Sequence, residues 1–353
     1  MAKRWRLWIG MAALLPVLII GGFLLYITIT DYKPDEVTPL NVQRNQERKL
    51  KPGEAFTITT FNIGYAGLDK DQDFFMDGGR QSRSRSEAQT KANMDAIAAF
   101  MTEAASDIFL LQEVDIAASR SYHLNEAGYL TGQLPGYGHT FALNYKVPWV
   151  PVPLFKPMGS VNSGLLTLAA VHSTSARRLD LPGKESWPRQ QLDLDRAYME
   201  IRLPVDNGRE LVLVNLHLSA FDEGGRIRQQ QLDYLLNYLK TEQKQGNYII
   251  LGGDWNHSLP GTDPGAFPAS QPWPEWLQKF PDDFRPDGFK WAVDPETPTV
   301  RTLDIPYQDG VNFLAIIDGF LVSPNIGVVS VQGHELGFAH SDHNPVSVTL
   351  TLE

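Results

Sequence analysis

Six short stretches of the sequence end runs of apolar residues in carboxylates, amides or imidazoles. They are Thr60-Phe61-Asn62-Ile63-Gly64, Leu110-Leu111-Gln112-Glu113-Val114-Asp115, Asn215-Leu216-His217-Leu218-Ser219, Leu251-Gly252-Gly253-Asp254-Trp255-Asn256, Ile317-Asp318-Gly319-Phe320 and Ser341-Asp342-His343-Asn344-Pro345-Val346. Placed at neighbouring strand ends, these groups would share one pocket. Asn, Asp and Glu oxygens suit a hard cation such as Mg²⁺, which keeps several waters and takes only one or two carboxylates. A cation held there polarises a phosphoryl oxygen and orients an ester. Two histidines supply a general base for water and a proton or hydrogen bond for the leaving oxygen. An Asp beside a His fixes its tautomer and favours the imidazolium formed on proton abstraction.

The elements that must position these groups are legible in the hydrophobic pattern. Strand-length apolar runs bounded by turn residues fall at 56–63, 107–114, 164–171, 197–203, 210–218, 248–252, 318–322, 327–331 and 345–352. Met94, Ile97, Ala98 and Met101 follow helical spacing, with Ser86 and Gln89 offering a capping box. Leu232, Leu235, Leu236 and Leu239 do the same, and Gly246 is a plausible stop. A weaker helix is expected within 116–133. Interleaved strands and helices predict an α/β fold, and so many strands predict two packed sheets. Residues 258–311, loose and rich in Pro, Asp and aromatics, read as a long excursion within the same domain.

The N-terminus differs from the rest. Residues 7–30 are 24 consecutive positions without a charged side chain. At about 1.5 Å per residue they reach roughly 36 Å, enough for a ~30 Å hydrocarbon core. Lys3, Arg4 and Arg6 precede the run and Asp31, Lys33, Asp35 and Glu36 follow it, so the positive-inside rule places later residues outside the cytoplasm. The expectation is a single-pass anchor over 1–30, a polar linker over 31–55 and an extracytoplasmic catalytic domain over 56–353. A cleaved signal peptide competes with this reading, but the apolar run is longer than usual and its exit shows no small-residue cleavage site. Cysteine is absent, which excludes disulfides, thiolate metal sites and cysteine nucleophiles. Net charge is −10 overall; beyond residue 30, 28 basic and 41 acidic residues give −13. That disfavours a general nucleic-acid coat, which needs a basic surplus.

The six segments, in this order and closed by Ser341-Asp342-His343-Asn344-Pro345-Val346, resemble the endonuclease/exonuclease/phosphatase superfamily of deoxyribonuclease-I-like fold. The resemblance spans about residues 56–353, and Trp255 departs from the usual Phe in its segment. It implies a four-layer α/β/β/α sandwich and a Mg²⁺-dependent phosphoesterase site, with Mn²⁺ an alternative metal. By position, Asn62 and Glu113 resemble the metal-binding pair and Asp342 a further metal-associated carboxylate. Asp254 and Asn256 resemble the groups that place the phosphate and the attacking water. His343 resembles the general base, Asp318 its orienting partner, and His217 the second histidine that stabilises phosphoryl oxygens or assists the leaving group.

Plainer readings stand beside these. His217 alone could be a core histidine, Asp254, Asn256 and Asp318 turn formers, and Asn62 a strand exit. The cluster His334, His340 and His343 could suggest zinc, but its spacing and missing fourth ligand argue against that. Arg80, Arg83 and Arg85, in a Gly/Ser loop after the Asn62 strand, could bind an anionic headgroup, and Arg196 could face the pocket. The stretch Tyr145-Lys146-Val147-Pro148-Trp149-Val150-Pro151-Val152-Pro153-Leu154-Phe155 is too rich in Pro for an internal strand, and reads as a loop packed on the sandwich or as a membrane-interface segment. Three functions are compatible: a phosphoesterase acting on a lipid headgroup or small ester, a surface or secreted nuclease acting on DNA or RNA, and a binding module on a degenerate site. No position of the carried-over set is missing, which weighs against the last. No protein partner is inferred.

Overall fold

The computed structural model describes residues 2–220, 222–284 and 286–353; within 2–13 it describes the side chains of Trp5, Trp8 and Met11 only, and at Glu223 the backbone only. Among the described residues the strands form two large sheets. In the six-stranded sheet, β2 (Ala55–Asn62) and β3 (Ile108–Asp115) are a parallel pair at the centre. β17 (Val346–Leu352) and β16 (Ile326–Gly333) extend it on the β2 side, and β5 (Gly159–Ala169) and β4 (Gly138–Val150) on the β3 side, all antiparallel. The seven-stranded sheet runs β1 (Val37–Leu40), β6 (Ser175–Asp180), β7 (Ala197–Pro204), β8 (Glu210–His217), β9 (Tyr248–Asp254), β15 (Asp318–Val322) and β12 (Lys290–Ala292), in which only β8 and β9 pair in parallel. Short pairs, β10 (His257–Ser258) with β11 (Gln278–Lys279) and β13 (Val300–Arg301) with β14 (Leu314–Ala315), tie down the 258–311 excursion.

Strand alternation builds the layers. Phe56 and Ile58 of β2 and Ile108 and Leu110 of β3 meet Leu211, Leu213, Ile250 and Phe320 of the other sheet in one core. Their neighbours Phe61, Phe109 and Leu111 face outward and are covered by Met94, Ile97 and Met101 of α2 (Glu87–Ala104) and Leu130 of α3 (Glu126–Gln133). On the opposite flank Val212, Val214, Ile249 and Leu251 lie under Leu232, Leu235 and Leu239 of α4 (Arg226–Lys244). The order is α/β/β/α, as expected. Ser86 Oγ accepts from Gln89 N at 3.1 Å to start α2, while Gln89 turns its own amide to Asn93 instead of completing the capping box. Gly246, at φ +76°, ends α4.

Three expectations are corrected. The linker over 31–55 does have something to bury: β1 pairs with β6 and Leu50 is buried in the inter-sheet core. The Pro-rich 145–155 stretch is not wholly loop, because its first half completes β4. Pro148 is tolerated there since β4 is an edge strand, and the ladder is irregular between Val147 and Val150. The 116–133 helix shrinks to a turn at Ser119–Ser121 and the eight residues of α3.

At the N-terminus, α1 (Ala2–Ile29) is helical over 28 residues. Among the described residues no helix is long and apolar enough to cross a membrane, so the expected transmembrane helix is not shown. The described side chains of α1 are unbroken only from Leu14 onward, and those of Lys3, Arg4 and Arg6 lie outside the described residues.

Candidate active site

The same alternation that buries the core brings the polar groups together at the strand ends. In β8, Leu211 and Leu213 point between the sheets, so Asn215 and His217 follow on that face; in β9, Ile250 is followed by Asp254, and in β15 Asp318 precedes Phe320. The register sets His217 opposite Asp254, and Asp254 opposite Asp318. A slip of one residue would turn all three out of the site. Gly253 is required for the parallel approach of β9 to β8: its φ is +143° and a Cβ there would lie 2.0 Å from the Leu216 carbonyl oxygen.

Asn62 arrives on the inward face of β2 and pairs with Gln112 of β3. Glu113 would point outward by simple alternation. The β3–β5 ladder breaks between Leu111 and Val114, and Glu113 has φ 54°, a bulge that re-aims its carboxylate into the site. Gln112 fills a different role: its Nε2 donates to Asn215 Oδ1 at 2.8 Å, while Asn215 Nδ2 donates to Thr167 Oγ1 at 3.2 Å, a polar clamp across the sheets. The loop before β17 is fastened by Ser341, whose Oγ donates to Asn62 O at 2.8 Å and accepts from His343 N at 3.2 Å.

A cavity of about 320 Å³ is lined by Asn62, Glu113, Arg196, His217, Asp254, Asn256, Asp342 and His343. Asp318 lies behind His343, whose Nδ1 is 2.8 Å from Asp318 Oδ2. A carboxylate only accepts, so Nδ1 carries the hydrogen and Nε2 is left toward the cavity, 3.8 Å from Asp254 Oδ2 and 4.0 Å from Asp342 Oδ2. Burial opposes charge on His343, but Asp318, Asp342 and Asp254 prevail and push its pKa up to about 10. His217 goes the other way: burial first, then Arg196, His343 and Arg120, hold it well below the ordinary range, so it is neutral. Its Nε2 is 3.3 Å from Asp254 Oδ2, and its buried Nδ1 has no partner among the described residues. Asp254 is raised by burial and by Asp318, even though Asn62 Nδ2 donates to Oδ2 at 3.0 Å and Asn256 N to Oδ1 at 2.9 Å. Asn256 sits at φ 50° and its Nδ2 donates to Leu218 O at 2.8 Å.

These donors fit a hard divalent cation. Asp254, Asp318 and His343 place ligand atoms within 4.8 Å of one another, a possible acidic and histidine metal site. His343 Nδ1 and Asp318 Oδ2 are already engaged with each other. Glu113, Asp342 and Asn62 offer oxygens to the same cavity, and Glu113 is raised by burial and, against the opposing charge of Arg120, by Asp342. Clustered carboxylates of this kind are relieved by a cation.

The arginine expectation divides. Arg196 lines the cavity, its Nη1 donating to His217 O at 3.3 Å. Arg80, Arg83 and Arg85 are not among the described lining residues. Carboxylates of the same loop capture Arg85, which binds Asp69 at 3.0 Å and Asp71 at 3.3 Å; Arg80 is exposed, with its backbone N donating to Asp73 Oδ1 at 3.1 Å. Arg83 Nε donates to Pro157 O at 2.7 Å. The zinc cluster also separates, His334 facing Ser347 Oγ and His340 facing Asn93 Oδ1.

Arg120 was not legible in the sequence. The turn at Ser119–Ser121 folds it back under Glu113, with Nη1 3.7 Å from Glu113 Oε2 and two bonds to Asp115 at 3.0 and 3.1 Å. Its guanidinium lies 4.0 Å above the buried Tyr65 ring. Nothing in the local pattern marks it, because the return depends on where the turn sends the chain. Trp255 explains its departure from Phe: it is buried against Phe280 and Trp291, and its Nε1 donates to Gly319 O at 3.1 Å.

His257 takes no part in the site and offers a stability test. Burial lowers its pKa to about 4, against the opposing Trp255 carbonyl, 2.7 Å from Nδ1. The unfolded chain takes up this proton near pH 6.5 and the folded chain does not, so its stabilising effect is full above that pH and is lost as pH falls. Between pH 7 and 5 this one group is expected to lower stability by about 2 kcal/mol. Urea midpoints at both values should separate wild type from His257→Gln by that difference.

Comparisons with known proteins bear on the family and the fold. No curated protein matches the chain in sequence. Among solved structures, an endonuclease/exonuclease/phosphatase from Beutenbergia cavernae superposes with TM-score 0.58 at 19% identity, covering 84% of this chain and 72% of that one. D. rerio TDP2 complexed with a single-strand DNA product gives 0.53 at 13%, covering 84% and 99%. The human Nocturnin catalytic domain with a bound sulfate anion gives 0.53 at 18%, covering 89% and 98%. At these identities the likeness speaks for the fold. The endonuclease/exonuclease/phosphatase family itself matches residues 59–343, a span that runs from before Asn62 to His343, and the chain belongs to that family.

Proposed function

We propose that the protein is a divalent-metal-dependent phosphoesterase acting on a lipid headgroup or another small phosphate ester, held by α1 with its catalytic body outside the cytoplasmic membrane. The carrying observation is the composition of one cavity. Its lining includes Glu113, His217, Asp254, Asp342 and His343, together with the apolar cluster of Phe74, Phe75, Val150, Met158, Leu192 and Leu194. Such walls suit an ester with an apolar part better than a polynucleotide backbone, which needs cations along its length.

In this reading Glu113, Asp342 and Asn62 would hold Mg²⁺ or Mn²⁺. The bound cation would withdraw charge from a phosphoryl oxygen. His343, aligned by Asp318 through Nδ1, takes the proton of the attacking water at Nε2. Asp254 and Asn256 position that water and the phosphate. Neutral His217 supports a phosphoryl or leaving oxygen by hydrogen bonding. Arg196 contributes guanidinium donors to the phosphate, and Arg196→Ala is expected to lose about 10- to 100-fold in kcat/KM, mainly through KM, from about 1.5–3 kcal/mol of charge-assisted hydrogen bonding. Steady-state kinetics with Arg196→Lys alongside, which should recover part of the loss, checks this.

Membrane anchoring rests on the sequence of residues 7–30 and on the exposure of Leu14, Leu15, Val17, Leu18, Ile19 and Ile20 along α1. Extraction of the full chain from cells by detergent but not by alkaline carbonate would support it. The test of function is turnover by the full chain across lipid, monoester and diester substrates with Mg²⁺, stopped by chelation. No turnover across that panel would end the proposal. The nuclease alternative draws on the D. rerio relative with its DNA product. Plasmid nicking that outpaces every small ester would favour it over the lipid reading.

A further inference from the structure

Outside α1, the most exposed large apolar side chains among the described residues are Phe155 at 98% and Leu154 at 80%. They sit at the tip of the β4–β5 connection, with Trp149 and Val152 also exposed beside them. The base of this connection belongs to the catalytic cavity: Val150, Val152 and Met158 line it. Hydrogen bonds tie down both flanks of the tip. Met158 N donates to Val152 O at 2.9 Å, Ser82 Oγ to Lys156 O at 2.5 Å, and Arg83 Nε to Pro157 O at 2.7 Å.

We infer that residues 149–158 are a docking surface for a lipid bilayer, seating the mouth of the catalytic cavity on the membrane. Two observations select this occupant. The chain is acidic overall, yet residues 145–158 contain Lys146 and Lys156 and no carboxylate, which suits an anionic headgroup layer. The apolar helix α1 also leaves the body against β4, the strand that leads into this connection: it packs against β4 and the turn Arg189–Leu192, its Ile27 is buried, and Trp187 Nε1 donates to Thr28 Oγ1 at 3.0 Å. Trp187 is itself 58% exposed. Trp and Phe beside Lys are the side chains an interface favours, with rings among the headgroups and the ammonium toward water. The inference deepens the anchored, lipid-directed reading above, since substrate would enter from the surface to which the tip is fixed.

The absence of cysteine allows a clean test. In the full chain, Phe155→Cys carries one environment-sensitive fluorophore, and Val329→Cys, on exposed β16 at the far edge of the same sheet, carries it as control. Both are reconstituted in vesicles of equimolar phosphatidylcholine and phosphatidylglycerol, with and without acyl-chain nitroxide lipid. The label at 155 is expected to lose more than about half its emission to the quencher, as for groups held at the headgroup–acyl boundary, and the label at 329 almost none. Leu154→Cys should repeat the result at 155. Equal quenching at 155 and 329, or none at either, overturns the inference. A companion variant, Leu154→Asp with Phe155→Asp, should lose about tenfold on vesicle-borne substrate and keep its rate on a soluble ester. Equal loss on both substrates counts against docking. Quenching is read without turnover, so a quenched label on an inactive protein overturns the phosphoesterase reading alone.

Discussion

Glu113→Gln is expected to lower kcat/KM on every phosphoester substrate by about 10³-fold or more, the range seen when a centre of electrostatic stabilisation is removed. The substitution keeps volume and an oxygen but removes the charge. It acts at the one carboxylate that a β-bulge turns against strand alternation into the cavity. Arg120 would persist beneath it, still bound to Asp115, so the local fold is held and the loss is chemical. Two measurements check this. Calorimetric titration should show Mg²⁺ affinity reduced in the variant. Thermal unfolding without metal should show no loss, since a half-buried carboxylate with raised pKa costs the fold more than a neutral amide. Activity within tenfold of wild type would remove Glu113 from the metal site.

The second large effect belongs to His343. His343→Asn retains a donor for Asp318 but no imidazole, and kcat is expected to fall by about 10²–10⁴-fold with KM little changed, the contribution typical of a positioned general base. The pH dependence carries the sign. The base works only when unprotonated, so activity is lost as pH falls through its pKa. With its carboxylate neighbours uncompensated that pKa is pushed up to about 10. Cation binding among those carboxylates lowers it. The acidic limb of the kcat/KM profile should therefore lie well below pH 10 at saturating Mg²⁺, climb as Mg²⁺ is made limiting, and vanish in His343→Asn. A limb that ignores Mg²⁺ would show that the base stands apart from the cation.

Much of the scaffold was legible because its signals are local. The apolar runs at 56–63, 107–114, 210–218, 248–252 and 345–352 became β2, β3, β8, β9 and β17 within a residue or two. The spacing of Leu232, Leu235 and Leu239 became the buried stripe of α4. β4 was hidden because Pro148 and the prolines just beyond it argue against an internal strand, and an edge position is a property of the sheet, not of the segment. β1 was hidden because four half-exposed residues carry almost no pattern, and only the partner β6 makes them a strand. Among the arginines, 80, 83 and 85 looked available in sequence, yet Asp69 and Asp71 take up Arg85, the Pro157 carbonyl takes up Arg83, and Arg80 stands exposed outside the described cavity lining.

By itself the amino-acid sequence determined which residues could do chemistry and that they close strand-length apolar runs, since hydrophobic pattern and donor type are properties of a few neighbouring residues. Tertiary structure alone decided that Asn62, His217, Asp254 and His343 share one cavity, that a bulge delivers Glu113 and a turn returns Arg120 to it, and that the apolar 149–158 tip stands exposed at the end of the strand against which α1 packs. Those outcomes rest on register and turn direction between segments as much as 281 positions apart. Such pairings become favourable only when both sheets pack face to face, so no local stretch can encode them.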